Sequence, residues 1–207
     1  MMARHGWGLG DRGRSARSSV VCAFSLLLLP VALRAQAIDQ AYTAKIKEYT
    51  TEPFFLTPYI DHLPASSTVP SPMKHFGDIA GAPNVLHYPE EIHAYMRAVA
   101  EASDRVDVMS IGRSEEGREM ILVVVAEEET LTNLDSHRDM LTRLADPRTT
   151  SPEEAERIIA SAKPIYYATG AIHSTETGSP EMLMELVYRL AVGESEHVRA
   201  IRDNLIF

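Results

Sequence analysis

Residues Tyr166–Leu183 read "YYATGAIHSTETGSPEML". The apolar run from Pro164 to Ile172 has the β-branched and aromatic texture of a strand. From Ser179 the pattern changes. Ser179 stands as a cap, Pro180 at the first helical position and Gly193 past the end. Met182, Leu183, Leu186, Val187 and Leu190 fall on one helical face between them. A strand therefore hands over to a helix, and His173 and Glu176 lie in the handover. In an open α/β sheet, ligands bind beyond the carboxyl ends of the strands, at this kind of turn.

Upstream of that turn, strands and helices alternate, which predicts an α/β domain. "YPEEIHAYMRAVAEAS" carries Ile92, Tyr95, Met96 and Val99 on one face and acids in its first turn, so a helix is expected from Pro89. "RVDVMSIGRS" and "REMILVVVAEE" read as two strands joined by the tight turn "SEEG", with Gly117 at its end. Ser114 is a turn residue there, because its neighbours lack the spacing of a nucleophile elbow. Residues 131–145 predict an amphipathic helix through Leu131, Leu134, Leu141 and Leu144. "SPEEAERIIASA" predicts another, with Ser151 and Glu154 forming a capping box. After a helix around "SEHVRAIRDN", the last residues "LIF" read as the start of a further strand, so the chain is expected to be the N-terminal part of a longer protein.

The N-terminal segments have other textures. Arg4, Arg12, Arg14 and Arg17 precede the apolar run "SVVCAFSLLLLPVAL", and Ala35 and Ala37 have the spacing of a signal-peptidase site. Residues 1–37 thus read as a secretory signal, and the protein as secreted or periplasmic. The apolar run is shorter than the roughly 20 residues a membrane span needs, and Pro30 interrupts it, so no stable span is expected. Cleavage after Ala37 removes five Arg and one Asp, taking the formal charge from −9 to −13. Such an acidic chain lacks the basic stripe a nucleic-acid binder needs to displace counterions. Cleavage also removes Cys22, the only cysteine, so disulfides, a thiol nucleophile and thiolate metal ligands are excluded. Residues 38–50 suggest a short helix through Ile38, Tyr42, Ile46 and Tyr49. Residues 51–89 hold seven of the 12 prolines, and the whole of 38–87 reads as an extended arm or pro-segment.

What chemistry the His and the Glu carry follows from their donors. Imidazole nitrogen and carboxylate oxygen suit zinc, and catalytic zinc sites use such ligands while keeping one position open for water. For an isolated H-x-x-E pair the alternative is a surface salt bridge or loop hydrogen bond. His62, His75, His87, His93 and His137 are scattered and expected on the surface, and His197 lies on the next helix.

"GAIHSTETGSPEML" resembles the zinc-binding segment of the zinc carboxypeptidases, the carboxypeptidase A-like metallopeptidases. The stretch "YPEEIHAYMRAVAEASDRVDVMSIGRSEEGREMILVVVA" is similar to that family's opening helix and first hairpin. Ile111, Gly112, Ser114, Glu116, Gly117 and Arg118 stand where the family's turn has its pattern. The resemblance spans roughly residues 88–193 and implies a mixed sheet flanked by helices. It implies His173 and Glu176 as two zinc ligands, zinc as cofactor, and a peptide with a free C-terminus as substrate. The family's third ligand, general base and carboxylate-binding Arg follow the motif's helix and are expected beyond Phe207, so the catalytic groups proper lie outside this chain. A zinc deacylase on the same fold, or a non-catalytic binding domain, are the other readings open to this sequence.

Overall fold

The computed structural model describes residues 36–207. These residues form eight α-helices and one two-stranded antiparallel sheet. The expected leader, residues 1–37, lies almost wholly outside the described residues.

The hairpin forms as the alternation demands. Strand β1 (Val106–Arg113) pairs with β2 (Glu119–Val125), with Val106 opposite Val125 and Arg113 opposite Glu119. A bulge between Ser110 and Gly112 breaks the register, and Gly112 takes a φ of 133° there. The turn closes with Gly117 at φ 78°, and the Gly117 amide donates to the Ser114 carbonyl at 2.9 Å. Period-2 alternation sends the two faces of the hairpin into different surroundings. Val106, Val108, Ile121, Val123 and Val125 face the main core. Met109, Leu122, Val124 and Ala126 pack on the other side with Leu131, Leu134 and Ile206.

Helix α3 (Pro89–Glu101) and α7 (Gly178–Val192) build that main core. They contribute Tyr95, Met96, Val99, Met184, Val187, Tyr188 and Leu190. Pro89 starts α3 because its missing N–H is not needed at the first position, and the Glu91 carboxylate returns to accept from the Tyr88 amide at 2.8 Å. The helix expected over 131–145 is two helices, α4 (Glu128–Thr132) and α5 (Leu134–Leu144). Asn133 breaks them. Its side chain turns back to the Glu129 carbonyl at 2.8 Å, the local competition that asparagine offers to a continuing helix. Helix α6 (Pro152–Ser161) is capped by Ser151, which accepts from the Glu154 amide at 3.2 Å. The capping box is not reciprocal, because Glu154 pairs with Arg143 instead. Helix α8 (Glu196–Asn204) starts at the cap Ser195.

The strand expected over Pro164–Ile172 does not form. A single parallel bridge joins Ile165 to Ile206. The Tyr166 amide donates to the Ile206 carbonyl at 2.8 Å, and the Ile206 amide to the Pro164 carbonyl at 2.9 Å. Phe207 in turn exchanges both backbone bonds with Val125, at 2.7 and 2.9 Å. Ile206 and Phe207 thus lie between β2 and residues 164–166. Beyond Tyr166 the segment meets no backbone partner among the described residues. Its apolar side chains stay out: Tyr167 is 68% and Ile172 88% exposed. A strand is stabilised by ladder bonds and packing that two residues do not supply.

The Pro-rich arm is built into the core. It holds helix α1 (Gln40–Tyr49), a 3-10 turn at Pro53–Phe55 and helix α2 (Pro72–Phe76). Tyr42, Leu63, Val69, Ile79 and Ala82 are buried in one cluster with Tyr95, Val99 and Tyr188. Hydrogen bonds fix the arm from both sides. The Tyr188 hydroxyl donates to the Pro64 carbonyl at 2.9 Å, and the Tyr95 hydroxyl to the Pro70 carbonyl at 3.2 Å. The Tyr42 hydroxyl donates to Glu185 at 2.8 Å and accepts from the Ala80 amide at 3.1 Å. Burial pushes the Tyr42 and Tyr95 phenols well above the usual range, and that of Tyr188 up to about 12. At the start of the described residues, Gln36 donates from Nε2 to the Val192 carbonyl and accepts from the Glu194 amide, both at 2.8 Å. Among the described residues no helix is long and apolar enough to cross a membrane.

Candidate functional site

His173 and Glu176 sit in the loop that leads into α7. His173 Nδ1 lies 2.9 Å from Glu176 Oε1, and the Glu176 amide donates to the His173 carbonyl at 3.0 Å. One backbone bond and one side-chain contact therefore close a compact turn, and both groups converge on one side of it. Both are open to solvent, the side chains 73% and 53% exposed. The second ring nitrogen and the second carboxylate oxygen make no hydrogen bond among the described residues.

The loop is shaped by two close approaches. Ala171 takes a left-handed φ of 57°, a conformation that costs a non-glycine residue roughly 1–2 kcal/mol. Gly170, just before it, packs against the start of α7. A Cβ placed on Gly170 would lie 2.5 Å from the Ser179 Cβ and 3.4 Å from Leu183 Cδ1. Only a glycine lets the chain pass that close, and this contact sets where the loop begins. The loop ends at Thr177, which stands at the N-cap of α7 without a side-chain bond, since the helix begins at Gly178 rather than at Pro180. Glu176 is thus two residues from the positive end of a fifteen-residue helix.

Inside that first turn lies Glu181, 6% exposed. Its Oε1 accepts from the His87 backbone amide at 3.1 Å and meets His87 Nδ1 at 2.9 Å. Its Oε2 accepts from the Gly81 amide at 3.1 Å. His87, expected on the surface, turns its side chain inward, with only 8% of it exposed, and its ring lies 4.0 Å from that of Phe76. The other histidines expected on the surface do not approach the motif. Burial holds His93 below its usual pKa, and the His197 ring lies 4.8 Å from that of Tyr59, tilted at 45°.

His173 and Glu176 supply donors of the kinds that bind zinc, within contact distance and accessible. They fit two places of a metal's coordination shell. No group of three or more His, Cys, Asp or Glu side chains poised for a metal occurs among the described residues. Spacing and position in the fold made this pair visible in the sequence. The pair of Glu181 and His87 carried no such signal, because its members lie 94 positions apart. A protein-family model described as zinc carboxypeptidase matches residues 92–207. No curated protein and no solved structure matches the chain.

Proposed function

Because the chain belongs to the zinc carboxypeptidase family, we propose that it is the N-terminal part of an exported metallocarboxypeptidase, with His173 and Glu176 as two of its zinc ligands. The observation that carries the reading is the approach of His173 Nδ1 to Glu176 Oε1 at 2.9 Å, in a solvent-open loop inside the matched segment. The pairing of Ile206 and Phe207 between β2 and residues 164–166 supports a larger mixed sheet, which would give Tyr166–Ile172 its partners. Export is supported by the sequence pattern of residues 1–37, a basic stretch, an apolar run and the Ala35/Ala37 spacing.

The chain's own residues do identifiable work in this reading. His173 offers a neutral ring nitrogen and Glu176 an anionic oxygen, so the pair brings one negative charge to a dication and leaves it electrophilic. When bound, zinc supplies Lewis-acid polarisation of a carbonyl and a water whose pKa is lowered to about 7. Gly170 and Ala171 set the loop's direction, and α7 anchors its far end. The reading further calls for a third ligand, a general base and an Arg that grips a substrate carboxylate, none of which is assigned among the described residues. Such an Arg would confine cleavage to the last residue of a peptide, by a bidentate hold on its terminal carboxylate.

The test is substrate choice by the intact protein. A blocked dipeptide with a free C-terminal carboxylate should be hydrolysed, and its C-terminal amide should react at least a hundredfold more slowly. Equal rates on both would overturn the carboxypeptidase reading. Cleavage of an acylated small amine in preference to either would make the protein a deacylase on this scaffold.

A further inference from the structure

Glu181 is the only buried carboxylate among the described residues. A carboxylate withdrawn from water persists only where hydrogen bonds replace the lost hydration. Glu181 has them. Both oxygens are engaged by donors from one short piece of the arm: the amides of Gly81 and His87 and the His87 ring. Phe76 covers the His87 ring at 4.0 Å, and Phe76 itself lies 5.4 Å from the Tyr95 ring. The contact is therefore fixed to the core on the arm side. On the other side it holds the first turn of α7.

That turn is where the motif loop is hung. At one end of the loop, Gly170 abuts Ser179 and Leu183. At the other, Glu176 stands two residues before Gly178, the first residue of α7. Between them the described bonds of the loop are internal, from Glu176 to His173. The orientation of the loop is thus inherited from the first turn of α7, and that turn is tied down by Glu181.

We propose that Glu181, held by His87 and the Gly81 amide, is the positioning residue of the site: it locks the first turn of α7 to the arm and thereby aims the loop that presents His173 and Glu176. The arm is on this account part of the metal site's support. The inference rests on the zinc reading of His173 and Glu176.

The experiment compares the intact protein with Glu181→Ala and Glu181→Gln. Three quantities are read: amide hydrogen exchange at Gly81 and His87, the zinc dissociation constant by chelator competition, and kcat and KM on a blocked dipeptide. Glu181→Ala should speed exchange at both amides and raise the zinc dissociation constant at least tenfold, the scale seen when groups that orient metal ligands are removed. It should lower kcat more than it raises KM. Glu181→Gln retains one acceptor oxygen and should fall between the two. Should Glu181→Ala not fold, His87→Gln removes the ring bond while leaving both backbone donors, and should weaken zinc in the same direction. Loosened amides with an unchanged zinc constant and unchanged kcat would overturn the proposal. A wild-type protein that takes up no zinc would instead overturn the zinc reading on which it stands.

Discussion

Arg202 is a cation with only 1% of its side chain exposed, and its partners explain why it is tolerated. Nη1 donates to the carbonyls of Leu190 and Gly193 at 2.8 and 2.6 Å, satisfying the C-terminal end of α7, and Nε donates to Glu127 at 2.7 Å. Removing one partner of a buried pair strands the other. Glu127→Ala should cost toward the low end of roughly 3–5 kcal/mol in denaturant unfolding, since Glu127 itself is partly hydrated. Desolvation pushes the Glu127 carboxyl up, but the Arg202 hydrogen bond and the Arg105 charge outweigh it and hold the carboxyl below its usual range. Glu194 is held down in the same way, its desolvation outweighed by bonds from Arg105 and Arg199. A folded-state pKa below the unfolded one adds stability that is present above the ordinary carboxylate range and lost as pH falls through the folded value. Stability measured against pH should therefore drop on the acid side, and Glu127→Gln should flatten that drop. Gln36 gives a second test at this scale. A chain beginning at Ile38 lacks its two bonds at the end of α7 and also the bond from the Ala65 amide to the Ala37 carbonyl, and should be about 2–4 kcal/mol less stable than one beginning at Gln36. His173 and Glu176 were legible as single residues because their spacing is local. Glu181, His87 and Arg202 were not, because their roles depend on partners brought from distant sequence.

Elements whose ends are marked by local chemistry could be read directly. Ser151 caps α6, Pro89 opens α3, and the "SEEG" turn closes the hairpin. Elements whose existence depends on neighbours could not. The segment Pro164–Ile172 has strand composition but among the described residues finds only Ile206 to pair with, so it forms no strand and most of it stays exposed. The start of α7 was misplaced because Ser179 and Pro180 look like a cap and first position. The helix instead starts at Gly178, with Thr177 at its N-cap, and Gly170 approaches its first turn at Ser179. That approach is open to test. In Gly170→Ala, the new Cβ would clash with the Ser179 Cβ, and either α7 or the loop must shift. The expected cost is about 1–3 kcal/mol, as for other overpacked sites. Thermal unfolding measures it, and amide exchange in residues 171–177 should rise with it. An unchanged melting temperature would show that the loop does not rest on α7 as described.

At the scale of the described molecule, the arm, α3, α7 and one face of the hairpin share one core, and the other face packs in a second, smaller cluster. Because Leu63, Val69 and Ile79 share that core with Tyr95, Val99 and Tyr188, the arm is not a separable cover. Deleting residues 38–87 should leave an insoluble or dye-binding product, whereas a detachable pro-segment would leave a soluble folded remainder. The family was readable in the order of helix, hairpin and motif, while of the expected mixed sheet flanked by helices the described residues form helices and one two-stranded antiparallel sheet. The arm's integration was not readable, since prolines and loops hide the few apolar side chains that anchor it. A catalytic zinc site ordinarily uses three protein ligands, so the loss of either His173 or Glu176 should abolish tight binding. The most direct test is therefore zinc content by metal analysis of the intact protein after gel filtration, beside His173→Ala and Glu176→Gln. We predict about one zinc per wild-type chain and loss of tight zinc from both variants, which should still unfold with wild-type cooperativity. Full zinc occupancy in either variant would contradict the assignment of His173 and Glu176 as the metal's ligands.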